Sequence, residues 1–358
     1  SPDLPETSGS CNVNIACPEG QPYFTLGESV VRITVYVGNL SGSGSGVLVN
    51  NTALDGKPYI LTAEHNGLNF FTGAFATNDN LQNWEFEFNA HRPTCSNQQQ
   101  PQNIISYTGC VLRMRSFDGG GNTGSDVALL EINDPSFQAS THRFAGWSRQ
   151  NTAPASGYGI HHPSGDVKKI SFFNGPAVPG VFSQQSTPLH WRLVWSATQS
   201  GHGVTEPGSS GSPIFDLSND LVVGTLTGGA ASCALRNAPD YYGMFWHQWD
   251  GNGSSSDRQL KPWLDPLNLD PQTLSGKNLS VDEFGLKAQR YFAYPNPSRS
   301  GGEVVLPKSV SSHWSVYDLQ GRMLFQVEES NVLLAPQSSG TYIIKHRYEN
   351  IQIPLIVQ

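Results

Sequence analysis

The sequence predicts an all-β protein in which a large domain of antiparallel strands is followed by a small β-sandwich. Glycine (37 residues) and proline (24 residues) are abundant, whereas charged residues make up only 14% of the chain. That composition suits many short strands joined by turns. Short runs of β-branched and aromatic residues recur along the chain, and sustained helical periodicity is nearly absent. The large domain is therefore expected to be a barrel or a sandwich.

Strand candidates lie between about residue 24 and residue 265. Each is enriched in β-branched or aromatic residues, and Gly, Asn or Ser fills the intervals. The candidates span residues 30–37, 46–49, 59–61, 84–88, 127–132, 191–195 and 221–226. Because a rigid scaffold presents functional groups on the loops between its strands, the candidate site residues are sought there.

The last part of the chain predicts a separate domain. Residues 270–287 lack periodicity and are typical of a linker. The expected division is a first domain over residues 1–272, a linker over 273–287 and a second domain over 288–358. With about seven strands in roughly 70 residues, the second domain is predicted to be an Ig-like sandwich. It contains no cysteine and no catalytic cluster, so a structural, adhesive or sorting role is expected.

Length and charge limit the classes of function. At 358 residues the chain is long enough for two or more domains with substantial cores. Residues 1–285 contain 14 basic and 24 acidic side chains, whereas residues 286–358 contain 7 basic and 5 acidic side chains. An acidic first domain argues against nucleic acid as a partner and favours basic ligands. No apolar run approaches the roughly 20 residues of a membrane span.

Five cysteines are dispersed along the chain: Cys11, Cys17, Cys95, Cys110 and Cys233. They are too far apart for a zinc site, which uses close pairs of ligands. Wide spacing favours long-range disulfides formed in an oxidising compartment, but spacing alone does not choose the pairing, and an odd number leaves one thiol over. The adjacent pair His161-His162 cannot chelate one ion from an extended segment, so neither a metal nor another cofactor is expected.

A glycine-rich turn carries the strongest chemical signal. The run Gly208-Ser209-Ser210-Gly211-Ser212-Pro213 places a serine next to glycine, just ahead of the apolar pair Ile214-Phe215. Such a turn exposes the Ser210 hydroxyl. A serine hydroxyl is a poor nucleophile alone and needs a base and an orienting carboxylate. The backbone N–H groups of Gly208 and Ser210 are the predicted oxyanion hole.

The candidate base and carboxylate lie upstream, each beside a strand candidate. His65 follows an apolar run, and Asp126 begins another. The chain order His65, Asp126, Ser210 is that of chymotrypsin-type serine proteases, not that of subtilisin or the α/β-hydrolases. His65 would take the Ser210 proton while Asp126 orients the imidazole. Glu64 is not expected to orient His65, because neighbouring side chains on an extended segment point apart.

Around these three residues the chain resembles the lysyl endopeptidases, which are secreted bacterial serine proteases of the trypsin fold. The similar stretches run in order across about 270 residues, far more than a short motif covers. They are residues 8–12, 17–20, 48–52, 61–65, 145–147, 160–163, 204–214 and 263–266. The resemblance implies a trypsin-like double β-barrel and cleavage of peptide bonds after lysine.

The resemblance also implies which residues bind the lysine side chain and which cysteines form disulfides. Asp240, seven residues after Cys233, takes the position of the family's lysine-binding aspartate. Thr205, Thr227 and Gly228 would line the pocket. A carboxylate poised for an ammonium ion rejects neutral side chains, because its buried charge would lack a partner. The family's pairing implies two disulfides and one free thiol: Cys11–Cys233, Cys17–Cys95 and Cys110.

The chain departs from the family at two places beside the catalytic residues. In the family a disulfide ties a strand to the residue next to the catalytic histidine. Here those positions are Gly44 and Asn66, so the tether is absent and no stray thiol remains. The family also packs a histidine and a tryptophan against the catalytic aspartate. Thr227 and either Val181 or Phe182 stand in their place, which bears on lysine selectivity and on activity.

Activation by a new N-terminus is not expected to follow the trypsin pattern. In trypsin-type zymogens the N-terminal ammonium pairs with an acidic residue directly before the catalytic serine. That residue is Ser209 here and carries no charge. We expect the N-terminal arm, tethered through Cys11 and Cys17, to hold the pocket instead. Residues added before Ser1 should then leave activity nearly unchanged.

The C-terminal region resembles the sorting domain of type IX secretion cargo in certain Gram-negative bacteria. The similar residues are Tyr294-Pro295-Asn296-Pro297, Gly340–Ile344 and an apolar terminal strand. The resemblance implies a role in export. A carbohydrate-binding or adhesive β-sandwich is the alternative interpretation.

Together these features predict a secreted serine endopeptidase that cleaves after lysine through an acyl-enzyme. The alternatives are a surface adhesin or binding protein built on a protease fold, and a protease with a broader Lys/Arg preference. The expected partners are protein or peptide substrates with lysine at P1, and secretion machinery through the C-terminal domain, without nucleic acid or a membrane span. We expect a monomer that is secreted or at the cell surface, exported from a Gram-negative bacterium. The start at Ser1, without Met or a signal peptide, indicates a processed, mature form.

Overall fold

The computed structural model describes residues 8–96, 99–278, 293, 295, 297–306, 313–318, 322–328, 330–346 and 352–358. The chain divides into two compact units, residues 1–279 and residues 280–358. Strands dominate both units. The all-β prediction is therefore confirmed.

Nineteen strands lie in the described part of the first unit, and most of them are short. In chain order they are β1 (Val13–Asn14), β2 (Val30–Val37), β3 (Leu40–Val49), β4 (Tyr59–Thr62), β5 (Glu85–Phe88), β6 (Ile105–Thr108), β7 (Cys110–Arg115), β8 (Ala128–Ile132), β9 (Arg143–Phe144), β10 (Trp147–Ser148), β11 (Gly157–His161), β12 (Lys169–Phe173), β13 (Val178–Gly180), β14 (His190–Leu193), β15 (Pro213–Asp216), β16 (Leu221–Gly229), β17 (Asp240–Met244), β18 (Thr273–Leu274) and β19 (Lys277–Asn278).

Helices in the described residues are few and short. The α-helices are α1 (Phe24–Gly27), α2 (Asn78–Leu81), α3 (Phe245–Asp250) and α4 (Lys261–Leu264). Single 3₁₀ turns cover Gln21–Tyr23, Glu64–Gly67, Ala139–Thr141, Pro163–Gly165 and Ser256–Arg258. None of these helices has the length and apolar character that a membrane span requires.

Strands β2 to β8 form the first sheet, in the order β6–β5–β2–β3–β4–β8–β7. All neighbouring pairs are antiparallel. Alternate residues of β2, namely Val31, Ile33 and Val35, join the buried cluster of this sheet with Trp84 and Phe86. The cluster follows from the period of two along a strand, which sends every second side chain to the same face.

The second sheet contains ten of the described strands, in the path β1–β12–β11–β15–β16–β17–β14–β13, with β10 paired to both β16 and β18. The β10–β16 pairing is parallel and the other pairings are antiparallel. Trp191, Trp195, Ile214, Leu226 and Tyr242 fill its core. The first unit is therefore built on two largely antiparallel sheets, and its all-β architecture is as predicted.

Neighbouring residues on the central strands are buried on opposite faces. On β4, Ile60 packs in the core of the first sheet, whereas Tyr59 and Leu61 belong to a cluster shared by the two sheets. Leu130 and Leu129 on β8 divide in the same way. Because both faces are covered, these strands contain apolar runs, residues 59–61 on β4 and residues 128–130 on β8, in which polar residues do not alternate.

The loops that carry the candidate site residues meet between the two sheets. His65 lies in the turn after β4, and Asp126 lies just before β8, which is a neighbour of β4. Ser45 on β3 reaches across to the turn of the second sheet. Its N–H donates to the Ser210 carbonyl oxygen at 2.8 Å, and its hydroxyl donates to the Gly208 carbonyl oxygen at 2.8 Å.

Two disulfides fasten the N-terminal segment of the first unit, Cys11–Cys233 and Cys17–Cys95. This is the pairing that the family resemblance implies. They join residues 222 and 78 positions apart in the chain. Cross-links of this kind typically contribute about 2–4 kcal/mol, mainly by constraining the unfolded chain. Cys110 remains a buried thiol.

Residues 273–278 differ from the linker prediction. Leu274 on β18 lies opposite Trp147 on β10, and Lys277 on β19 lies opposite Phe144 on β9. These residues therefore belong to the sheets of the first unit, and the linker does not begin at residue 273. Two-residue strands are too short to show alternation, which is why periodicity did not reveal them.

Six strands lie in the described part of the second unit, where about seven were expected: β20 (Glu303–Val305), β21 (His313–Tyr317), β22 (Met323–Glu328), β23 (Val332–Leu334), β24 (Gly340–His346) and β25 (Gln352–Val357). One sheet has the order β22–β21–β24–β25, and β20 pairs with β23. Trp314, Leu333 and Ile344 join one buried cluster, so the two sheets share a core as in a β-sandwich. Tyr294 and Asn296 of the sorting-type motif lie outside the described residues.

Candidate active site

His65 and Asp126 are joined by two hydrogen bonds. The Nδ1 atom of His65 lies 2.6 Å from Asp126 Oδ2, and the His65 backbone N–H donates to Asp126 Oδ1 at 3.0 Å. The imidazole is 16% exposed and the carboxylate is fully buried. With Nδ1 engaged by the carboxylate, Nε2 is the ring nitrogen left to accept a proton. The structure thus brings together the predicted base and the predicted orienting acid.

The backbone of Asp126 is held in a left-handed conformation, with a φ of +50°. Aspartate tolerates this region better than most residues do. The Asp126 N–H donates to Oδ2 of Asp118 at 2.8 Å, and Oδ1 of Asp118 accepts the Gly121 N–H at 2.8 Å. The Asp118 carboxylate therefore closes the loop that leads to Asp126 and fixes the direction of its side chain.

The pKa of His65 is raised above the ordinary value of an imidazole. Burial alone would lower this pKa, but the charge of Asp126 and its hydrogen bond more than compensate, with further contributions from Asp118 and Glu64. These carboxylates stabilise the imidazolium that forms when His65 takes up a proton. This electrostatic environment suits a general base that must hold a proton and then return it.

Glu64 does not contact the His65 ring in the described structure. Its buried carboxylate accepts hydrogen bonds from Arg115 Nη1 at 2.6 Å and from the backbone N–H groups of Phe117 at 3.1 Å and Asp118 at 3.0 Å. Burial and the neighbouring Asp118 raise the pKa of the Glu64 carboxyl. The segment is a 3₁₀ turn and is not extended as predicted, but Glu64 still points to other partners.

Glu64, Asp118 and Asp126 have carboxylate oxygens within 4.8 Å of one another. Clusters of this kind can hold a cation when their oxygens are free. Here the oxygens already accept hydrogen bonds from Arg115, His65 and several backbone N–H groups. The donor set fits a hydrogen-bonded loop closure, so we assign the three carboxylates no metal.

Ser210 stands in a turn whose shape depends on glycine. Gly208 and Gly211 have φ values of +95° and +81°. A Cβ on Gly211 would lie 2.2 Å from Thr62 Oγ1, so no larger residue fits there. The sequence signal of glycines around Ser210 therefore has a direct steric cause.

The Ser210 backbone is fastened to the half of the cleft that carries His65. Its carbonyl oxygen accepts hydrogen bonds from the Ser45 N–H at 2.8 Å and from Asn66 Nδ2 at 3.0 Å. Asn66 is the residue directly after His65. In the part of the chain that the structure describes, the Ser210 hydroxyl itself makes no hydrogen bond. The Ser210 hydroxyl is therefore free to donate its proton to an acceptor that lies within hydrogen-bonding distance.

Two backbone N–H groups of the same turn also lack a partner. The N–H groups of Ser209 and Gly211 are hydrogen-bonded within the protein. Among the described residues, those of Gly208 and Ser210 donate no hydrogen bond. Unpaired backbone N–H groups are rare in native proteins. A pair of them beside a serine hydroxyl is the arrangement that stabilises an oxyanion.

The buried His161, which the sequence analysis considered only as a metal ligand, supports this turn. His161 Nδ1 lies 2.8 Å from Ser209 Oγ, and its Nε2 lies 3.1 Å from Ser171 Oγ. Burial lowers the pKa of His161 to about 3, so the imidazole is neutral. A neutral histidine paired with a hydroxyl fits a position before Ser210 that carries no charge. The place of His161 in residues 160–163, one of the stretches that resemble the lysyl endopeptidases, was the signal that pointed to it.

Asp240 lies at the start of β17 and is fully buried. Its Oδ2 accepts hydrogen bonds from Thr205 Oγ1 and Trp195 Nε1, both at 2.6 Å, and its Oδ1 accepts the Ala231 N–H at 3.3 Å. Burial raises the pKa of Asp240, and these hydrogen bonds act in the opposite direction. No ion pair of Asp240 is present among the described residues. Its charge is therefore held by neutral donors only.

The model of the lysyl endopeptidase C-terminal domain matches residues 5–243 of this chain. The chain belongs to the lysyl endopeptidase family. A lysyl endopeptidase of Pseudomonas aeruginosa is 27% identical over 250 residues, which cover 66% of this chain and 50% of the relative. The chain thus spans about half the length of the curated relative that it matches.

Several solved protease structures are similar to this family member. Protease Anisep from Arthrobacter nicotinovorans shares 18% identity at a TM-score of 0.41, covering 61% of this chain and 90% of that one. The thermostable serine protease AL20 from an extremophilic microorganism shares 13% sequence identity at a TM-score of 0.42. The match covers 62% of this chain and 92% of that one. A Glu endopeptidase shares 15% sequence identity at a TM-score of 0.39, and the match covers 66% of this chain and 94% of that one.

Gly44 and Asn66, the positions at which this member of the family lacks a disulfide, lie against each other. A Cβ on Gly44 would lie 2.6 Å from Asn66 Nδ2 and 2.9 Å from its Cγ. The Asn66 amide also lies 3.0 Å from Thr62 Oγ1 and 3.0 Å from the Ser210 carbonyl oxygen. The space beside His65 is thus occupied by a hydrogen-bonded side chain.

Thr227 and Phe182 lie close to Asp126, where the family has a histidine and a tryptophan. A Cβ on Gly121 would lie 2.7 Å from Thr227 Cγ2, 3.2 Å from Asp126 Cβ and 3.4 Å from the Phe182 ring. Val181 is 47% exposed, so Phe182 is the residue that packs here. The structure decides between the two alternatives that the sequence left open.

His190 and Gln185, which the sequence reasoning did not single out, complete this region. His190 Nε2 lies 2.9 Å from Thr227 Oγ1, and Gln185 Nε2 donates to the carbonyl oxygens of Gly121 and Gly124. Burial lowers the pKa of His190 to about 3. A neutral imidazole therefore stands behind Thr227.

The remaining predicted pocket residue, Gly228, follows Thr227 on β16. A Cβ on Gly228 would lie 3.8 Å from the Phe182 ring, which is an ordinary van der Waals contact distance. The structure therefore groups Thr205 with Asp240, and Thr227 and Gly228 with Phe182. Sequence order alone gives no indication of the second grouping.

Proposed function

We propose that this chain is a serine endopeptidase that cleaves peptide bonds after lysine through His65, Asp126 and Ser210. The observation that carries the proposal is the 2.6 Å contact between His65 Nδ1 and Asp126 Oδ2, beside a serine turn anchored to the same cleft. Membership of the lysyl endopeptidase family supports the same reaction. The lysyl endopeptidase of Pseudomonas aeruginosa carries the same activity in its name.

The reaction proceeds in two halves. Ser210 Oγ attacks the carbonyl carbon of the lysyl bond while its proton passes to His65 Nε2. His65 then gives that proton to the leaving amine, the C–N bond breaks, and an ester to Ser210 remains. Water attacks the ester in the second half and gives a proton to His65. The Ser210 oxygen leaves with that proton, and the lysyl carboxylate is released.

The oxyanion of each tetrahedral intermediate would be held by the N–H groups of Gly208 and Ser210. Their lack of partners within the described structure supports this role. Because these N–H groups are fixed by the backbone, little reorganisation is needed when negative charge develops on the substrate oxygen. Such donors commonly supply one of the largest electrostatic contributions to catalysis.

Lysine specificity would come from Asp240. A buried carboxylate stabilised only by neutral donors gains a charged partner when a lysine ammonium enters the pocket. A neutral side chain provides no such partner and is rejected. Thr205, which donates to Asp240, and Thr227 and Gly228 on β16 would line the path of the lysine chain. Arginine is the slower competitor.

We also propose that the protein acts outside the cell and that its second unit serves in export as a type IX sorting domain. Two disulfides and the secreted character of the family support the first part. The resemblance of Gly340–Ile344, which lies on β24, supports the second. A reporter protein fused to residues 280–358 should be exported by a type IX-competent cell and retained by a secretion-deficient one.

Covalent labelling tests the catalytic proposal. An organophosphate should attach to one residue, Ser210, as identified by peptide mass spectrometry. Ser210→Ala should abolish both labelling and turnover while leaving the thermal midpoint unchanged. Ser212→Ala, in the same turn, is the matched serine control and should keep the label. A surface adhesin built on this fold would bind its ligand but would neither react with the organophosphate nor cleave peptides.

A further inference from the structure

We propose that Asn66 is a positioning residue whose side-chain amide sets the alignment between His65 and Ser210. This inference rests on the proposed function of the same site. The central observation is the 3.0 Å hydrogen bond from Asn66 Nδ2 to the Ser210 carbonyl oxygen. It joins the residue next to the base with the residue that carries the nucleophile.

The Asn66 amide is fully committed to this role. Asn66 is buried, and Nδ2 donates one hydrogen bond to Ser210 and a second, also 3.0 Å, to Thr62 Oγ1. An amide nitrogen has two protons, so both are used. Thr62 Oγ1 in turn donates to the Ser45 carbonyl oxygen at 2.7 Å. The orientation of the amide is therefore determined by acceptors on two different segments.

This hydrogen bond runs from the side chain of the residue next to His65 to the backbone of Ser210. Asn66 and His65 share a peptide bond in one 3₁₀ turn, and the accepted carbonyl is that of Ser210 itself. The only other protein donor to this carbonyl in the described structure is the Ser45 N–H on β3. Asn66 is therefore the one side chain there that links the base-bearing turn directly to the nucleophile-bearing turn.

Gly44 makes room for the amide. A Cβ at position 44 would lie 2.6 Å from Asn66 Nδ2, closer than non-bonded atoms approach. Any residue larger than glycine would therefore push the amide away from Ser210. Gly44 and Asn66 act as a pair, with the missing side chain of one giving space to the hydrogen-bonding side chain of the other.

The expected effect is on the chemical step. A displacement of about 1 Å between reacting groups can cost about a hundredfold in rate. Asn66→Ala should lower kcat by about 10- to 100-fold and change KM by less than about twofold, because the pocket around Asp240 is untouched. Asn66→Asp keeps the shape but cannot donate, so it should lose kcat in the same way. Asn51→Ala is the matched control, since Asn51 is a buried asparagine that bonds to Asp55, outside the site.

A reversible cross-link separates the hydrogen bond to Ser210 from a general tether of the His65 turn. Because positions 44 and 66 abut, the double variant Gly44→Cys/Asn66→Cys can form a disulfide. The disulfide ties the turn to β3 but provides no donor to the Ser210 carbonyl oxygen, so kcat should stay near the level of Asn66→Ala in both redox states. Recovery of kcat on oxidation, or full activity of Asn66→Ala, would overturn the inference.

The rate of Ser210 phosphonylation by an organophosphate distinguishes this inference from the proposed function. This readout needs no lysine substrate and reports the alignment of the nucleophile with its base. If the wild type is not labelled, the catalytic proposal fails. If the wild type is labelled and Asn66→Ala is labelled equally fast, the catalytic proposal stands and the role of Asn66 fails.

A second, independent observation concerns Phe70 and Phe71. These phenyl rings are 79% and 88% exposed, and the Phe70 ring lies 6.3 Å from the His65 ring. Asn69 Oδ1 accepts the N–H groups of Phe71 at 3.0 Å and Thr72 at 3.1 Å, so the turn that presents them is ordered by its own hydrogen bonds. Exposed aromatic pairs at the edge of a site commonly mark a binding surface.

We infer that Phe70 and Phe71 form an apolar subsite for a substrate residue within two positions of the cleaved lysine. This rests on the proposed function as well. Covering a phenyl ring with an apolar side chain removes both from water, at about 25 cal/mol per Å² of buried area. The closeness of Phe70 to His65 places this surface beside the scissile bond. Large apolar residues near the lysine should therefore be preferred.

Peptides with one lysine and varied flanking residues test this subsite. The wild type should prefer large apolar residues at one or more of the flanking positions by severalfold in kcat/KM, and Phe70→Ala should abolish that preference. Leu267→Ala, a change at another exposed apolar residue, should keep it. An unchanged profile in Phe70→Ala would refute the subsite. Cleavage of a lysine ester without flanking residues should be equal in the wild type and Leu267→Ala, and its absence in the wild type would instead contradict the catalytic proposal.

Discussion

The carboxylate of Asp118 holds the backbone of Asp126: its Oδ2 accepts the Asp126 N–H at 2.8 Å. Asp126 in turn binds both the ring and the backbone N–H of His65. The orientation of the imidazole therefore depends on a carboxylate that does not touch it. Glu64 accepts the Asp118 N–H at 3.0 Å and extends the same network.

Asp118→Ala should lower kcat and stability together. The Asp126 N–H would be left buried without an acceptor, at a cost of about 1–3 kcal/mol in the free energy of unfolding. The left-handed conformation of Asp126 would lose its support, so kcat should fall by about 10-fold or more. Urea unfolding and steady-state kinetics measure the two effects. Asp257→Ala, at an exposed carboxylate, is the control, and equal behaviour of the two variants would contradict the role of Asp118.

The pH profile of kcat/KM should report the raised pKa of His65. Activity should fall as the pH drops through that pKa, because imidazolium cannot accept the Ser210 proton. Asp126→Asn removes the charge that raises the pKa, so the acid limb should move to lower pH while the plateau also falls. An acid limb at the same pH in both proteins would show that His65 is not the titrating group.

The raised pKa of His65 also affects the stability of the folded protein. The folded-state pKa of His65 lies above its unfolded value, so protonated His65 contributes stability that is fully present below the unfolded pKa. That contribution is lost as the pH rises through the folded pKa. The difference in unfolding free energy between the wild type and Asp126→Asn should therefore narrow with rising pH across this window. A constant difference would contradict the assigned coupling.

Asp240→Asn should depress cleavage after lysine without affecting the nucleophile. Removing one partner of a desolvated ion pair typically costs about 3–5 kcal/mol, which equals about two to four orders of magnitude in kcat/KM. Organophosphate labelling of Ser210 should continue at nearly the wild-type rate. If lysine selectivity survived this substitution, Asp240 would not be the residue that binds the lysine side chain.

Cys110 should be unreactive in the native protein. Its thiol is buried, and burial raises its pKa to about 12, so little thiolate exists at neutral pH. Without a reductant, a thiol reagent should count no thiols in the native state and one after denaturation. More than one thiol in the denatured state would contradict the two disulfides Cys11–Cys233 and Cys17–Cys95.

The candidate catalytic residues could be found from the sequence because they have local signals. Ser210 lies among glycines whose positive φ the turn requires, and His65 and Asp126 each lie beside an apolar strand. Their chain order narrowed the mechanism further. Strand positions followed from apolar runs because β4 and β8 are buried on both faces.

The supporting residues had no local signal for their contacts: His161 was considered only as a metal ligand, and Asn66 only as the replacement of a family cysteine. The bonds of His161 to Ser209 and of Asn66 to Ser210 span 48 and 144 positions in the chain. Neither periodicity nor a short motif encodes a contact between distant segments. The strands β18 and β19 were missed for a different reason, since two residues are too few for a pattern. The sequence thus predicts which groups react more readily than which groups hold them in place.

Cleavage-site profiling on a mixed peptide library tests the central claim most directly. We predict that cleavage occurs after lysine, that arginine sites are cut more slowly, and that Ser210→Ala cuts none. Mass spectrometry of the products gives each cleaved bond and its rate. Cleavage that ignores the P1 residue would contradict the role of Asp240, and cleavage that persists in Ser210→Ala, or none at all by the wild type, would contradict the proposed catalytic triad.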